Sequence, residues 1–273
     1  MSTFRFDFSD VIGIENADFI THLHYINYLS GLSKNLRLTC KQETKHKINR
    51  SPIVNKKVKL IDLTIKSVEK ECSIIETDKE YASICVSWLP VKAYYAIYNM
   101  MLLLSYLISS DEAFLAKGHI PIINYIKSQI KAGDLAFNTQ EFNVVNEAKV
   151  VNGWTIPKGE NVRIESEHRN KQVYKKLLDY AKQEYRRFKR RKRLGKIENE
   201  EFLRITTISL FEFFYWYRIK ANYRDLEFIS KGISDNNFKN FFLTYYSFMR
   251  NMCEALKLCI NELAEVRFGE KVF

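Results

Sequence analysis

The stretch from Ala93 to Ser110 contains no Lys, Arg, Asp or Glu, and an α-helix of that length is about 27 Å long with no charged side to turn toward water. Such a helix is stable only inside an apolar surrounding, either a bilayer or the rest of the chain. Tyr94, Tyr95, Tyr98, Asn99, Ser105 and Tyr106 decide between the two. In hydrocarbon each of these polar groups needs a partner from within the protein. The segment therefore reads as the buried helix of a core, with no membrane as partner, and other helices must supply its walls.

Candidates for those walls recur at helical spacing. From Ala17 to about Leu38, the residues Phe19, Ile20, Leu23, Ile26, Leu29 and Leu32 mark a first helix. Lys41 to Lys59 is polar and basic, contains Pro52, and reads as a connecting loop. Val58, Ile61, Ile65, Val68, Cys72 and Ile75 then form one apolar stripe. The uncharged helix is expected to begin near Trp88 or Pro90, since proline is tolerated in a first turn. A shorter helix runs from His119 to about Ile130 and ends at Ala132, Gly133 and Asp134.

Beyond Phe137 the helical period is lost and Gly153, Pro157 and Gly159 gather, which predicts an irregular insertion. Asn170 to Arg193 regains the period, and Glu198, Glu200 and Glu201 place negative charge where the next helix, continuing through Tyr223, begins. Asp235 is the expected N-cap of a last helix striped by Phe238, Phe241, Tyr245, Phe248, Met252, Cys259 and Leu263. With only 9 Gly and 4 Pro, the chain has too little turn chemistry for a many-stranded fold. The expected class is all-α, an up-and-down helical bundle. Three regions are expected: an N-terminal helical region at 1–87, a core at 88–232 interrupted by the insertion at 137–169, and a C-terminal helix at 233–273 packing on that core.

Forty-three Lys and Arg against 32 Asp and Glu give a formal charge of +11, a field that favours RNA or another polyanion over acidic or neutral solutes. The densest run is Arg186, Arg187, Lys189, Arg190, Arg191, Lys192 and Arg193. These cations repel one another unless phosphates replace their counterions, although a solvated helix end carrying cations also suits the helix dipole. No metal and no cofactor are expected. The five cysteines form no CxxC pair, His22 and His24 are two apart rather than four, and no phosphate-binding glycine loop or HExxH is present. The opening MSTFRFDFSD is acidic where an export signal is basic, which predicts a cytoplasmic protein.

Three passages, in this order, resemble the HEPN superfamily of helical-bundle domains associated with nucleotides and RNA. VKAYYAIYNMMLLL, from Val91 to Leu104, is similar to that family's first core helix. KGHIPIINYI, from Lys117 to Ile126, is similar to a Lys-x-His turn opening the second. YRIKANYRDLEFI, from Tyr217 to Ile229, is similar to a closing pattern carried here by Arg218, Asn222 and Tyr223. The resemblance covers about 88–130 and 198–229 and implies a four-helix core. It also implies RNA as the partner and, in members that cut RNA, a metal-independent endoribonuclease acting as a dimer, in the role of a toxin or antiviral defence effector.

In such members an Arg is followed, after four to six residues, by a His that moves protons while Arg neutralises the phosphate. Here those positions after Arg218 are Tyr223, Arg224 and Asp225. His119 is the candidate replacement, with Arg218, Asn222 and Tyr223 as the core of the site; its other reading is a hydrogen-bonding residue in a first helical turn. Tyr94, Tyr95 and Asn99 either line a nucleotide pocket or pack in the core. Arg218, Asn222, Tyr223, Arg224 and Asp225 form a dense polar group in which Arg218, Asn222 and Asp225 share a helix face, as a structural network or a ligand-facing one. The departure at the histidine also leaves a noncatalytic HEPN-like partner module, for example of a nucleotidyltransferase. A helical scaffold burying its aromatic last helix against another subunit is a third reading.

Overall fold

The computed structural model describes residues 29–41, 46–143, 210–223 and 234–273, together with Leu23, Ile26 and Asn27. Over these the fold is mostly α-helical, with one small sheet. Ser51 starts the first long helix, α1 (Pro52–Thr77): its extended backbone lets Oγ accept from the Ile53 N–H at 3.2 Å, and Pro52 occupies the first turn, where no donor is required. The helix therefore begins inside the stretch expected to be loop, and Lys56 and Lys59 are helical residues on its exposed side. A short helix, α2 (Glu80–Cys85), which the sequence pattern did not announce, turns the chain into α3 (Leu89–Ser109). Helix α3 holds the uncharged run and ends where Ser110 adopts φ 63°.

Helix α4 (His119–Ala132) closes on Gly133, whose φ of 82° suits a residue without Cβ. Strand β2 (Leu135–Phe137) then pairs antiparallel with β1 (Leu38–Cys40), Thr39 lying opposite Ala136. This corrects the expectation of helix up to Leu38: the helical segment ends at Leu32, and Asn35 takes φ 59° in the turn before the strand. Three-residue strands carry no legible alternation, and their partners lie about a hundred positions apart in the chain. After α5 (Leu210–Tyr223) comes α6 (Asp235–Phe268). Ser234 rather than Asp235 caps α6, its Oγ accepting from the Asn237 N–H at 3.4 Å, while Asp235 adds negative charge to the first turn.

The long helices alternate in direction around α3. Lys57 reaches Asn99 and Lys92 reaches Ser67, each at 3.0 Å, so α1 lies antiparallel to α3. Lys239 donates to the Glu76 carbonyl at 3.1 Å and Lys257 pairs with Asp62 at 3.3 Å, so α6 lies antiparallel to α1. Helix α5 packs on α3 and meets α6 through aromatic rings: Phe214 stacks on Phe248 at 4.9 Å and Tyr217 on Tyr245 at 5.7 Å. The stripe expected on the last helix is thus buried within the chain, Phe241, Tyr245, Phe248 and Met252 being fully enclosed. Val54, Ile61, Val68 and Ile75, from the region expected at the N-terminus, join the same hydrophobic cluster as α3 and α6.

Among the described residues α3 is the one helix long and apolar enough to cross a membrane, and 83% of its apolar window is buried inside the protein. Its carbonyl end is closed from α6. Arg267, buried, donates through Nε to the Leu107 carbonyl at 2.9 Å, through a terminal nitrogen to Ile108 at 3.0 Å, and through the other to His46 at 2.8 Å. The bonds to Leu107 and Ile108 satisfy carbonyls that a helix C-terminus leaves open, and the bond to His46 ties the loop before α1 to the same guanidinium. Replacing Arg267→Leu strands all three and is expected to lower unfolding free energy by about 3 kcal/mol, measured by urea denaturation. A loss below that of an ordinary surface substitution would show that the cap carries little.

Candidate functional site

Helix α3 is covered on nearly every side, yet Lys92, Tyr95 and Tyr98 retain solvent exposure along one strip of it. Their spacing of three keeps them on adjoining turns. At this strip α5 and the start of α4 bring in Arg218 and His119. Arg218 is 8% exposed, and its guanidinium carbon lies 5.0 Å from the ring centre of Tyr94, 5.3 Å from that of Tyr215 and 5.5 Å from that of Tyr95. One terminal nitrogen donates to the Tyr95 hydroxyl at 3.0 Å. Nε is buried without a hydrogen-bond partner. Among the described residues no carboxylate pairs with Arg218.

Three cation–π contacts at roughly 0.5 to 2 kcal/mol each are of the size needed to offset the several kcal/mol that desolvating a cation costs. The result is a positive charge held by ring faces, with unspent donor capacity. His119 lies against the same rings, 4.3 Å from Tyr98, 5.4 Å from Tyr94 and 5.9 Å from Tyr215 between centres. Its Nδ1 is 2.7 Å from the Tyr94 hydroxyl. Burial holds the Tyr94 phenol well above its usual range, so it stays protonated. Burial, and then the charge of Arg218, lower the His119 pKa from its ordinary 6.5, which keeps the imidazole neutral near pH 7. In the tautomer whose Nδ1–H donates to the Tyr94 oxygen, Nε2 carries the lone pair and can accept a proton from a substrate.

The remaining residues set the rim. Asn99 is buried, its amide donating to the Tyr95 carbonyl at 2.7 Å and its Oδ1 accepting from Lys57 at 3.0 Å. Burial lowers the pKa of Lys57. Lys92 binds the Glu71 carboxylate and, at 3.0 Å, the Ser67 hydroxyl. Of the residues singled out from sequence, Arg218, His119, Tyr94 and Tyr95 therefore meet in one cluster. Tyr94 and Asn99 are enclosed, whereas Tyr95 is 39% exposed. Asn222 and Tyr223 form the last turn of α5, their side chains outside the described residues. Arg224, Asp225 and the run Arg186 to Arg193 lie outside them altogether.

Tyr98 and Tyr215 were missed. Each had a signal, since Tyr98 stands one helical turn after Tyr94 and Tyr215 one turn before Arg218. Among the described residues no group of His, Cys, Asp and Glu has the makings of a metal site. Comparison of the chain with protein-family models, with curated proteins and with solved structures finds no match.

The depressed His119 pKa makes a signed prediction. The unfolded chain binds the proton more readily, so stability contributed by neutral His119 is complete above about pH 6.5 and is lost as pH falls toward the lower folded pKa. Arg218→Gln, which removes the charge but keeps a hydrogen-bonding side chain, is expected to raise the His119 pKa, read by NMR titration of the imidazole. An unchanged titration midpoint would separate the two residues electrostatically.

Proposed function

We propose that this chain is a HEPN-like RNA-binding protein in which the caged Arg218 and neutral His119 face the phosphate backbone. The observation that carries the reading is a buried guanidinium with an unpaired Nε and no carboxylate partner among the described residues, placed beside the solvent strip of the central helix. A phosphate would supply the missing negative charge and accept from the unspent donors. Exposed Tyr95 offers a ring face to a base next to that phosphate. The net charge of +11 supports a polyanion, and the run from Arg186 to Arg193 would add backbone contacts without base specificity.

The same pair of groups fits metal-independent cleavage. Neutral His119 would take the 2′-hydroxyl proton on Nε2 as the 2′-oxygen attacks phosphorus; the P–O5′ bond breaks, water protonates the leaving 5′-oxygen to a 5′-hydroxyl, a 2′,3′-cyclic phosphate forms, the hydroxide left behind takes the imidazolium proton, and Arg218 offsets the charge added on the phosphate. A toxin or antiviral effector acting in the cytoplasm would use such chemistry. The second reading, a noncatalytic HEPN-like partner module, is favoured by the depth of Arg218 and by the engagement of Nδ1 with Tyr94, which suit a structural role for both side chains.

Labelled single-stranded RNA distinguishes these readings. Arg218→Ala is expected to weaken binding about tenfold, the factor for roughly 1.4 kcal/mol, and to flatten the dependence of log affinity on log salt by about 0.7. Equal affinity and slope in the two proteins would remove Arg218 from the interface. In chelator, cleavage that disappears in both Arg218→Ala and His119→Ala while far-UV circular dichroism is retained supports catalysis. Identical products from wild type and Arg218→Ala would exclude the proposed chemistry.

A further inference from the structure

Helix α3 carries a second exposed ring in line with Tyr95. Trp88 is 58% exposed, against 39% for Tyr95, and its carbonyl accepts from the Lys92 N–H at 3.0 Å, so it lies on the helical path. At about 100° and 1.5 Å per residue, seven steps leave the two side chains rooted about 20° apart round the axis and about 10 Å apart along it. The strip they share has a wall on each side. Lys92 and Asn99, rooted about 40 to 60° one way from Tyr95, meet α1 at Ser67 and Lys57. Tyr94 and Tyr98, about 60 to 100° the other way, lie against Arg218 and His119.

The free charge of the strip is confined to these walls. Lys92 is neutralised by Glu71. Lys57 is part-buried and donates to the Asn99 amide oxygen, and among the described residues no carboxylate pairs with it. Lys57 and Arg218 are therefore cations on opposite walls, each without a counter-charge among the described residues. Resting on the RNA reading above, we propose that the strip is the track of a single strand, with bases stacked on Tyr95 and Trp88 and with Lys57 holding a second phosphate across from Arg218.

The spacing and the chemistry select this occupant. A separation of about 10 Å is near three steps of a stacked strand at roughly 3.4 Å each, so a strand reaches both rings and a mononucleotide does not. A duplex presents phosphates but keeps its base faces stacked inside, which leaves the rings with nothing to bind. Stacking accepts any base, so the strip distinguishes single from double strand rather than one sequence from another. Two uncompensated cations beside the rings suit a polyanion better than the apolar face of a protein.

Anisotropy of a labelled mixed-sequence RNA strand, alone and annealed to its complement, tests the track on the full chain. Trp88→Ala is expected to weaken binding of the single strand about tenfold, to leave duplex affinity and the salt slope unchanged, and to be rescued by Trp88→Phe. Lys57→Gln is expected to flatten the slope of log affinity against log salt by about 0.7, with circular dichroism retained in every variant. Wild-type single-strand affinity in Trp88→Ala, equal losses for strand and duplex, or an unchanged slope in Lys57→Gln overturns the track. If Arg218→Ala still weakens binding in that case, the RNA reading outlives it; a wild type that binds neither RNA ends both. A Trp88→Ala chain with undiminished RNA affinity and a lower sedimenting mass would assign the ring to a protein contact instead.

Discussion

Enclosure of one uncharged helix governs this structure. Helix α3 buries every residue from Asn99 to Ile108, and successive steps of about 100° carry these side chains all round its axis, so no two-layer arrangement would hide them all. Helices α1, α4, α5 and α6 each cover part of its circumference. The cost of enclosing an entire helix is that its polar groups lose water too. Asn99 is answered by Lys57 and Tyr106 donates to the Asn49 carbonyl at 2.8 Å, while Arg267 answers the helix end. Each is a local requirement imposed by burial.

Two deeply placed arginines show different solutions to the same desolvation problem. Arg267 is surrounded by backbone carbonyls, its donors are spent, and its role is closure of α3. Arg218 is surrounded by tyrosine faces, which attract its charge without using its N–H groups, and Nε remains without an acceptor. Only the second arrangement leaves chemistry available to an anion. It sits where α3 is incompletely walled and next to a histidine that burial keeps neutral. The functional reading rests on this contrast rather than on charge alone.

Helical stripes survive in the chain because burial selects apolar residues at three- and four-residue steps, and those of α1 and α6 were legible: Ile61, Val68, Cys72 and Ile75, then Phe238, Phe241, Tyr245 and Phe248, are all buried. The C-terminus of α4 was legible for a local reason, since Gly133 supplies the left-handed turn. The sheet was not legible, because Leu38 to Cys40 and Leu135 to Phe137 are too short to show a period and acquire meaning only as partners. The start of α1 was misplaced because its lysines look like loop composition until one sees that they point outward.

The amino-acid sequence by itself determined the helical class, the buried nature of α3 and the positive balance of charge. These follow from local periodicity and composition, which act along the chain. Only the tertiary structure decided that His119 and Arg218 share one set of rings, that Tyr98 and Tyr215 complete it, and that Arg267 closes α3 from the far end of α6. The contacts from His119 to Tyr94 and from Arg267 to Leu107 join residues 25 and 160 positions apart, and no local preference encodes a pairing at such range. It arises when four helices must cover a fifth, because that packing dictates which polar side chains are trapped together.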